Sequence, residues 1–184
     1  MKRRDRKWRT WETAGLFVVI LLGNTLHFVY DWTGQARWAA YVSAVNESTW
    51  EHMKLLAMPW VIWSLVEAVA LRSSRQSVLM ARALGLLAGL VTIPTVYYTY
   101  TGALGVSSMI VDVVLFQAAV LLGALVSWRV LAKNKLTGPI WGAVGLLLLL
   151  GVAALFVWWT YAPPVLPIFI DPTNGTVGLP AIGM

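Results

Sequence analysis

Five apolar stretches, each about as long as a bilayer core is thick, constrain this chain more than any other feature. A hydrocarbon core of ~30 Å needs about 20 apolar residues in a helix. The runs at residues 11–30, 53–71, 79–98, 106–128 and 140–161 each approach or reach that length. With 184 residues, 59% of them hydrophobic and only 12% charged, little is left over for a separate soluble domain. The expected fold is therefore all-α: one transmembrane domain spanning 1–184, an integral-membrane bundle of five helices joined by short connections. A cell-membrane, multi-pass location follows, with the lipid bilayer as the principal partner.

Charge placement orients the bundle. Lys2, Arg3, Arg4, Arg6, Lys7 and Arg9 precede the first run. That run is too long, and lacks the small-residue cleavage site, for a signal peptide. If the N-terminus is cytoplasmic, Arg72, Arg75, Arg82, Arg129, Lys133 and Lys135 fall on the same side, and of the fourteen Lys and Arg only Arg37 and Lys54 fall on the other. The positive-inside asymmetry predicts N-terminus in and C-terminus out. It also accounts for the net charge of +6 as a topology signal, with no nucleic-acid partner implied. Tryptophans near the predicted ends, among them Trp8, Trp11, Trp32, Trp50, Trp128, Trp158 and Trp159, fit an interfacial belt. The chain has no cysteine, which excludes thiol catalysis, disulfides and thiolate metal sites.

After the fifth run, residues 162–184 are rich in Pro and Gly, so they do not continue as helix. They still contain Leu166, Ile168, Phe169 and Ile170, too apolar for a free tail. This non-helical tail is expected to pack over the outer face.

An ionisable side chain at mid-bilayer costs about 2.5–3.5 kcal/mol on insertion scales, so each one asks for a partner or a task. Asn24, His27 and Asp31 share one face at the outer end of the first helix. The second helix is entered through V-N-E-S-T-W-E-H-M-K (45–54), which brings Glu47, Glu51 and His52 to the same side, and Asp112 lies a short way into the fourth helix from there. Asp171 in the tail and Tyr97, Tyr98 and Tyr100 after Pro94 are placed nearby. The other half of the bundle is expected to hold little beyond Glu67, which either snorkels to the interface or pairs with Arg72 or Arg75.

Two explanations of this clustering stand side by side. In the first, Ser48 is an N-cap and Glu51 its capping-box partner, with Asn46 an alternative cap. In the second, carboxylates and imidazoles from different helices form a site for a divalent metal such as zinc, or an acid/base site that activates water. The metal ligands would then be His27, His52, Asp112 and Asp31, with Glu47 or Glu51 as general base and Lys54 as an anion-steering group. The spacing E-x-x-x-E-H matches no zinc-protease or di-iron motif. No phosphate-cradling Gly loop, nucleophile elbow or dinucleotide fingerprint is present.

H-F-V-Y at His27 to Tyr30, V-N-E-S-T-W-E-H-M-K-L-L followed by Pro59, the Y-Y-T-Y-T-G turn, the Asp112 segment and the tail F-I-D-P-T-N-G-T-V-G together resemble an uncharacterised family of small bacterial integral-membrane proteins. That resemblance covers most of the chain and implies no activity. The site alone is loosely similar to those of membrane hydrolases that hold a metal with histidines and an aspartate, although two histidines are fewer than such enzymes use. Three functions are consistent with these features. The first is a metal-assisted hydrolase or transferase acting on a lipid or envelope substrate. The second is an accessory subunit of a larger membrane complex, with a tetrapyrrole as alternative ligand. The third is a transporter or sensor, for which a homo-oligomer would supply the pore.

Overall fold

A computed structural model describes residues 3–179; Lys2 and the last residues of the predicted tail, 180–184, lie outside the described residues. Five helices are formed: α1 (Arg3–Trp32), α2 (Thr49–Ala70), α3 (Arg75–Leu104), α4 (Met109–Lys133) and α5 (Pro139–Tyr161). All five are long and apolar enough to cross a membrane. Among the described residues there is no strand, and one isolated antiparallel bridge joins Ile170 to Val177.

Most helices run further than their apolar cores suggest, for reasons local to each end. Ser48 caps α2 by accepting the Glu51 N–H at 3.3 Å, so α2 starts at Thr49 and not at 53. In the sequence the third apolar run stops at 98, because Thr and Tyr follow it. In the structure Thr95, Thr99 and Thr101 donate their hydroxyls to the carbonyls of Val91, Thr95 and Tyr97, so the polar side chains are satisfied within α3. The helix therefore continues through Pro94 to Leu104, where Gly105 ends it in the left-handed region. Asn134, also left-handed, ends α4.

α3 is the central element, packing on α2, α4 and α5, while α1 packs on α2 and α4. Glycines set the closest crossings. A Cβ at Gly145 of α5 would stand 2.5 Å from the α3 backbone at Leu79 and Met80, and Gly85 and Gly123 bring α3 against α4 in the same way. The buried core runs through Leu56, Trp60, Leu86, Val120, Leu149 and Phe156. Large apolar side chains such as Phe17, Leu21, Val91, Val114 and Leu147 point outward. Glu12, Glu51, Lys54, Glu67 and Arg82 are instead buried inside the bundle, the arrangement expected where the surrounding medium is lipid.

One expectation is overturned at the end that carries the N-terminus. Glu67 pairs with neither Arg72 nor Arg75; it faces Arg82 at 3.8 Å, and Arg82 also contacts Glu12 at 3.4 Å. All three side chains are fully buried. Arg82 is thus a bundle-interior residue and not a loop charge, because α3 begins at Arg75, two turns earlier.

Candidate metal centre

At the end of the bundle opposite the N-terminus, three side chains converge. The ligand atoms of His27 on α1, Glu47 in the loop before α2 and His52 in the first turn of α2 all lie within 4.8 Å of one another. Glu47 Oε2 is 3.5 Å from His52 Nε2 and 3.9 Å from His27 Nε2. Around a tetrahedral zinc with bonds of ~2.0–2.2 Å, neighbouring ligand atoms stand about 3.4 Å apart. The Glu47–His52 separation fits that value, and the His27 separation needs a shift of about half an ångström to reach it. The two imidazoles meet edge-on, with ring centroids 5.2 Å apart. Glu47 is half exposed and each histidine about one-third exposed, so the group is reachable from outside.

Each member is held by a second contact. His52 Nδ1 lies 3.0 Å from the Ser48 carbonyl, one turn back on its own helix. That carbonyl can only accept, so Nδ1 carries a proton, and Nε2 is the nitrogen turned toward Glu47. His27 stacks on Phe28, which stacks in turn on Trp32. Glu47 is placed by its backbone N–H, which donates to Asp171 Oδ2 at 3.0 Å. Beside it Asn46 donates from Nδ2 to the Gly178 carbonyl at 3.0 Å and accepts the Ser48 N–H at 3.0 Å. Gly178 has φ +67°, and a Cβ there would run into Pro163 at 2.7 Å, so this tail turn requires glycine.

Asp171 is the hub of these tail contacts. Its carboxylate accepts from the Thr173 N–H at 2.8 Å, the Thr173 hydroxyl at 2.6 Å and Asn174 Nδ2 at 3.3 Å, as well as from Glu47. Burial pushes the Asp171 carboxyl up, but the hydrogen bonds from Thr173, Glu47 and Asn174 outweigh it and hold the group below its ordinary value of 3.8. It remains an anion. The sequence pointed to this aspartate only as one acid of several; its role in seating Glu47 depends on a contact 124 positions away along the chain.

The remaining residues singled out from the sequence are placed elsewhere. Glu51 and Lys54 form a closed ion pair at 2.5 Å, with side-chain exposures of 2% and 0%. Lys54 also donates to the Ala40 carbonyl and to Thr160 Oγ1, both at 2.9 Å, and Glu51 accepts the Val45 N–H at 3.1 Å and the Thr160 hydroxyl at 2.9 Å. No solvent-facing surface is left on Lys54 to steer an anion, and Glu51 has no free oxygen with which to take a proton from substrate. Glu51 also departs from the capping box: Ser48 caps it, but its side chain goes inward and does not return to the Ser48 N–H. Asp112 accepts from the Tyr100 hydroxyl, and that hydroxyl also receives the Ser108 N–H at 3.3 Å, so the pair ties the last turns of α3 to the first turn of α4. Among the described residues Asp112 and Asp31 lie outside the converging group; Asp31 is exposed one turn beyond His27.

The chain belongs to DUF6512, a family of unknown function whose model matches residues 1–179. No curated protein and no solved structure matches it.

Proposed function

We propose that this member of a family without an assigned activity is a metal-assisted hydrolase or transferase of the membrane surface, with His27, His52 and Glu47 as ligands to a divalent metal of the zinc type. The observation that carries this reading is His52, whose Nδ1 is committed to the Ser48 carbonyl while its Nε2 faces Glu47 and His27. Two histidines and one glutamate form a ligand set used by catalytic zinc sites, which keep the fourth position for water or substrate. Bound there, the metal would polarise a carbonyl or phosphoryl oxygen or lower the pKa of a water. Glu47 thus moves from general base to ligand. The base role passes to Asp31, exposed one helical turn from His27 on the same face.

The substrate class follows from position. Phe28 and Trp32 stack outward from His27 and are exposed, as side chains at a membrane–water boundary are. With Lys54 buried, Arg37 is the one surface Lys or Arg at this end among the described residues, which supports the N-terminus-in orientation and an outward-facing site. A bacterial lipid or envelope-derived substrate fits that placement, with the tail 162–179 covering the bundle beside it. A carboxylate oxygen within 4 Å of both imidazole Nε2 atoms favours a small ion over a tetrapyrrole.

The test is metal content of the detergent-purified protein and of the His27→Ala, His52→Ala and Glu47→Gln variants, followed by turnover of membrane lipid extracts. Each variant is expected to lose at least ~90% of the bound metal, in line with the loss of one of three ligands. Metal retained in all three variants defeats the proposal. Metal bound without turnover of any lipid supports the accessory-subunit reading instead.

A further inference from the structure

The interior of the opposite half of the bundle holds two carboxylates against one guanidinium. Glu12 of α1, Glu67 of α2 and Arg82 of α3 are each fully buried. Arginine stays protonated in proteins, so with both acids ionised the cluster would carry a surplus negative charge with no solvent around it. The two acids are not equivalent. Glu12 Oε1 accepts the Ser127 hydroxyl at 2.7 Å and its Oε2 accepts from Arg82 Nη1 at 3.4 Å. Arg82 Nε donates to Ser64 Oγ at 3.1 Å, and the guanidinium lies over the Trp60 ring at 3.9 Å. Among the described residues neither Glu67 oxygen has a hydrogen-bond partner, and Arg82 Nη2 has none either.

Four helices supply the charged and polar groups around Glu67; α5, which also packs on α2, contains no Asp, Glu, Lys, Arg or His. α1 supplies Glu12, and α2 itself supplies Ser64. α3 supplies Arg82 with Trp60 beneath it, and α4 supplies Ser127 through Glu12. Beyond them Lys7 reaches the carbonyl of Ala70 at 3.4 Å, at the end of α2 three residues past Glu67. None of these gives Glu67 a second cation. A buried acid in excess of its counter-charges is resolved by neutralisation, since an uncompensated ion has no solvation to replace what it lost.

We propose that Glu67 is a proton-binding site: its carboxylate takes one proton from the aqueous phase at the N-terminal end, forming an O–H bond on Glu67, and the Glu12–Arg82–Glu67 cluster then carries no net charge. Because the four participating side chains come from α1, α2, α3 and α4, release of that proton would leave an unbalanced charge at the point where four of the five helices meet. The site is independent of the metal centre, which lies at the other end of α1 and α2.

Infrared spectroscopy of the whole protein in lipid nanodiscs tests this, because a neutral carboxylic acid has a C=O stretch distinct from carboxylate that shifts in D2O. The wild type at pH 7 is expected to show such a band, insensitive to added sodium chloride. Glu67→Gln is expected to abolish it while unfolding at the same temperature as the wild type, since glutamine mimics the neutral acid. Glu12→Gln is expected to abolish it too, because one acid then balances Arg82, but to unfold earlier through weakened bonds to Ser127 and Arg82. A wild type with no such band overturns the proposal whether or not the variants fold. A band that survives in Glu67→Gln, or a stability that rises with sodium only while Glu67 is present, also overturns it.

Discussion

Replacing Lys54 by methionine tests whether the Glu51–Lys54 pair is the lock the structure indicates. Methionine fills much of the lysine volume but removes the cation, so Glu51 would keep its charge at 2% side-chain exposure with only the Val45 N–H and the Thr160 hydroxyl as donors. Breaking a buried pair from one side costs about 3–5 kcal/mol, because the remaining ion is uncompensated. The Ala40 carbonyl also loses its donor, which joins the loop before α2 to the bundle. The informative comparison is the double variant Lys54→Met/Glu51→Gln. Glutamine can still accept the Val45 N–H at its amide oxygen and donate from its NH2 to the Thr160 hydroxyl, which keeps the Phe156 carbonyl as its own acceptor, and replacing both ions together is often close to neutral. The double variant should therefore be more stable than Lys54→Met alone, by roughly 2 kcal/mol or more, despite carrying one more substitution. Reversible unfolding in mixed detergent micelles measures both. A Lys54→Met protein within ~1 kcal/mol of wild type, or a double variant less stable than the single one, refutes the reasoning.

Further outcomes follow from other parts of the structure. Gly145→Ala should destabilise by about 1–3 kcal/mol by forcing α5 off the α3 backbone. Gly151→Ala on the same helix, where the new Cβ meets nothing, should be neutral or stabilise by up to ~1 kcal/mol in the same unfolding assay. Asp171→Ala should weaken divalent-metal affinity about 10- to 100-fold, read by competition with a chelator, because it frees the backbone of Glu47 without touching a ligand atom. The Asp171 carboxyl lies below its ordinary value of 3.8, so its contribution to tail docking is complete above that pH and is lost as pH falls through the lower folded value. Fluorescence of Trp50 and Trp159, which pack on Phe169 of the tail, should report that acid transition, and Asp171→Ala should lack it.

The convergence of His27 with His52 was legible in outline, because alternating spans must return both residues to one end of the bundle. Which acid joins them was not. Glu47 and Glu51 are four positions apart and equally plausible from spacing, but the cap at Ser48 turns Glu51 inward to Lys54 and leaves Glu47 outside, beside the imidazoles. Asp112 shared their depth along the bundle and still went elsewhere, since Tyr100 at the extended end of α3 takes its carboxylate.

What the chain alone determined is the number, apolar character and approximate position of its helices, because apolar length and backbone hydrogen bonding in lipid leave helices as the economical solution for such runs. Only the tertiary structure decided how the charges pair. Ion pairing is a short-range, three-dimensional property. Arg82, read from sequence as an interfacial cation, lies buried between acids from two other helices, and Lys54 is sealed by a threonine 106 residues away. The His27–Glu47–His52 group has the same origin: its members come from two helices and a loop, and the loop is held by a tail that returns from the far end of the chain.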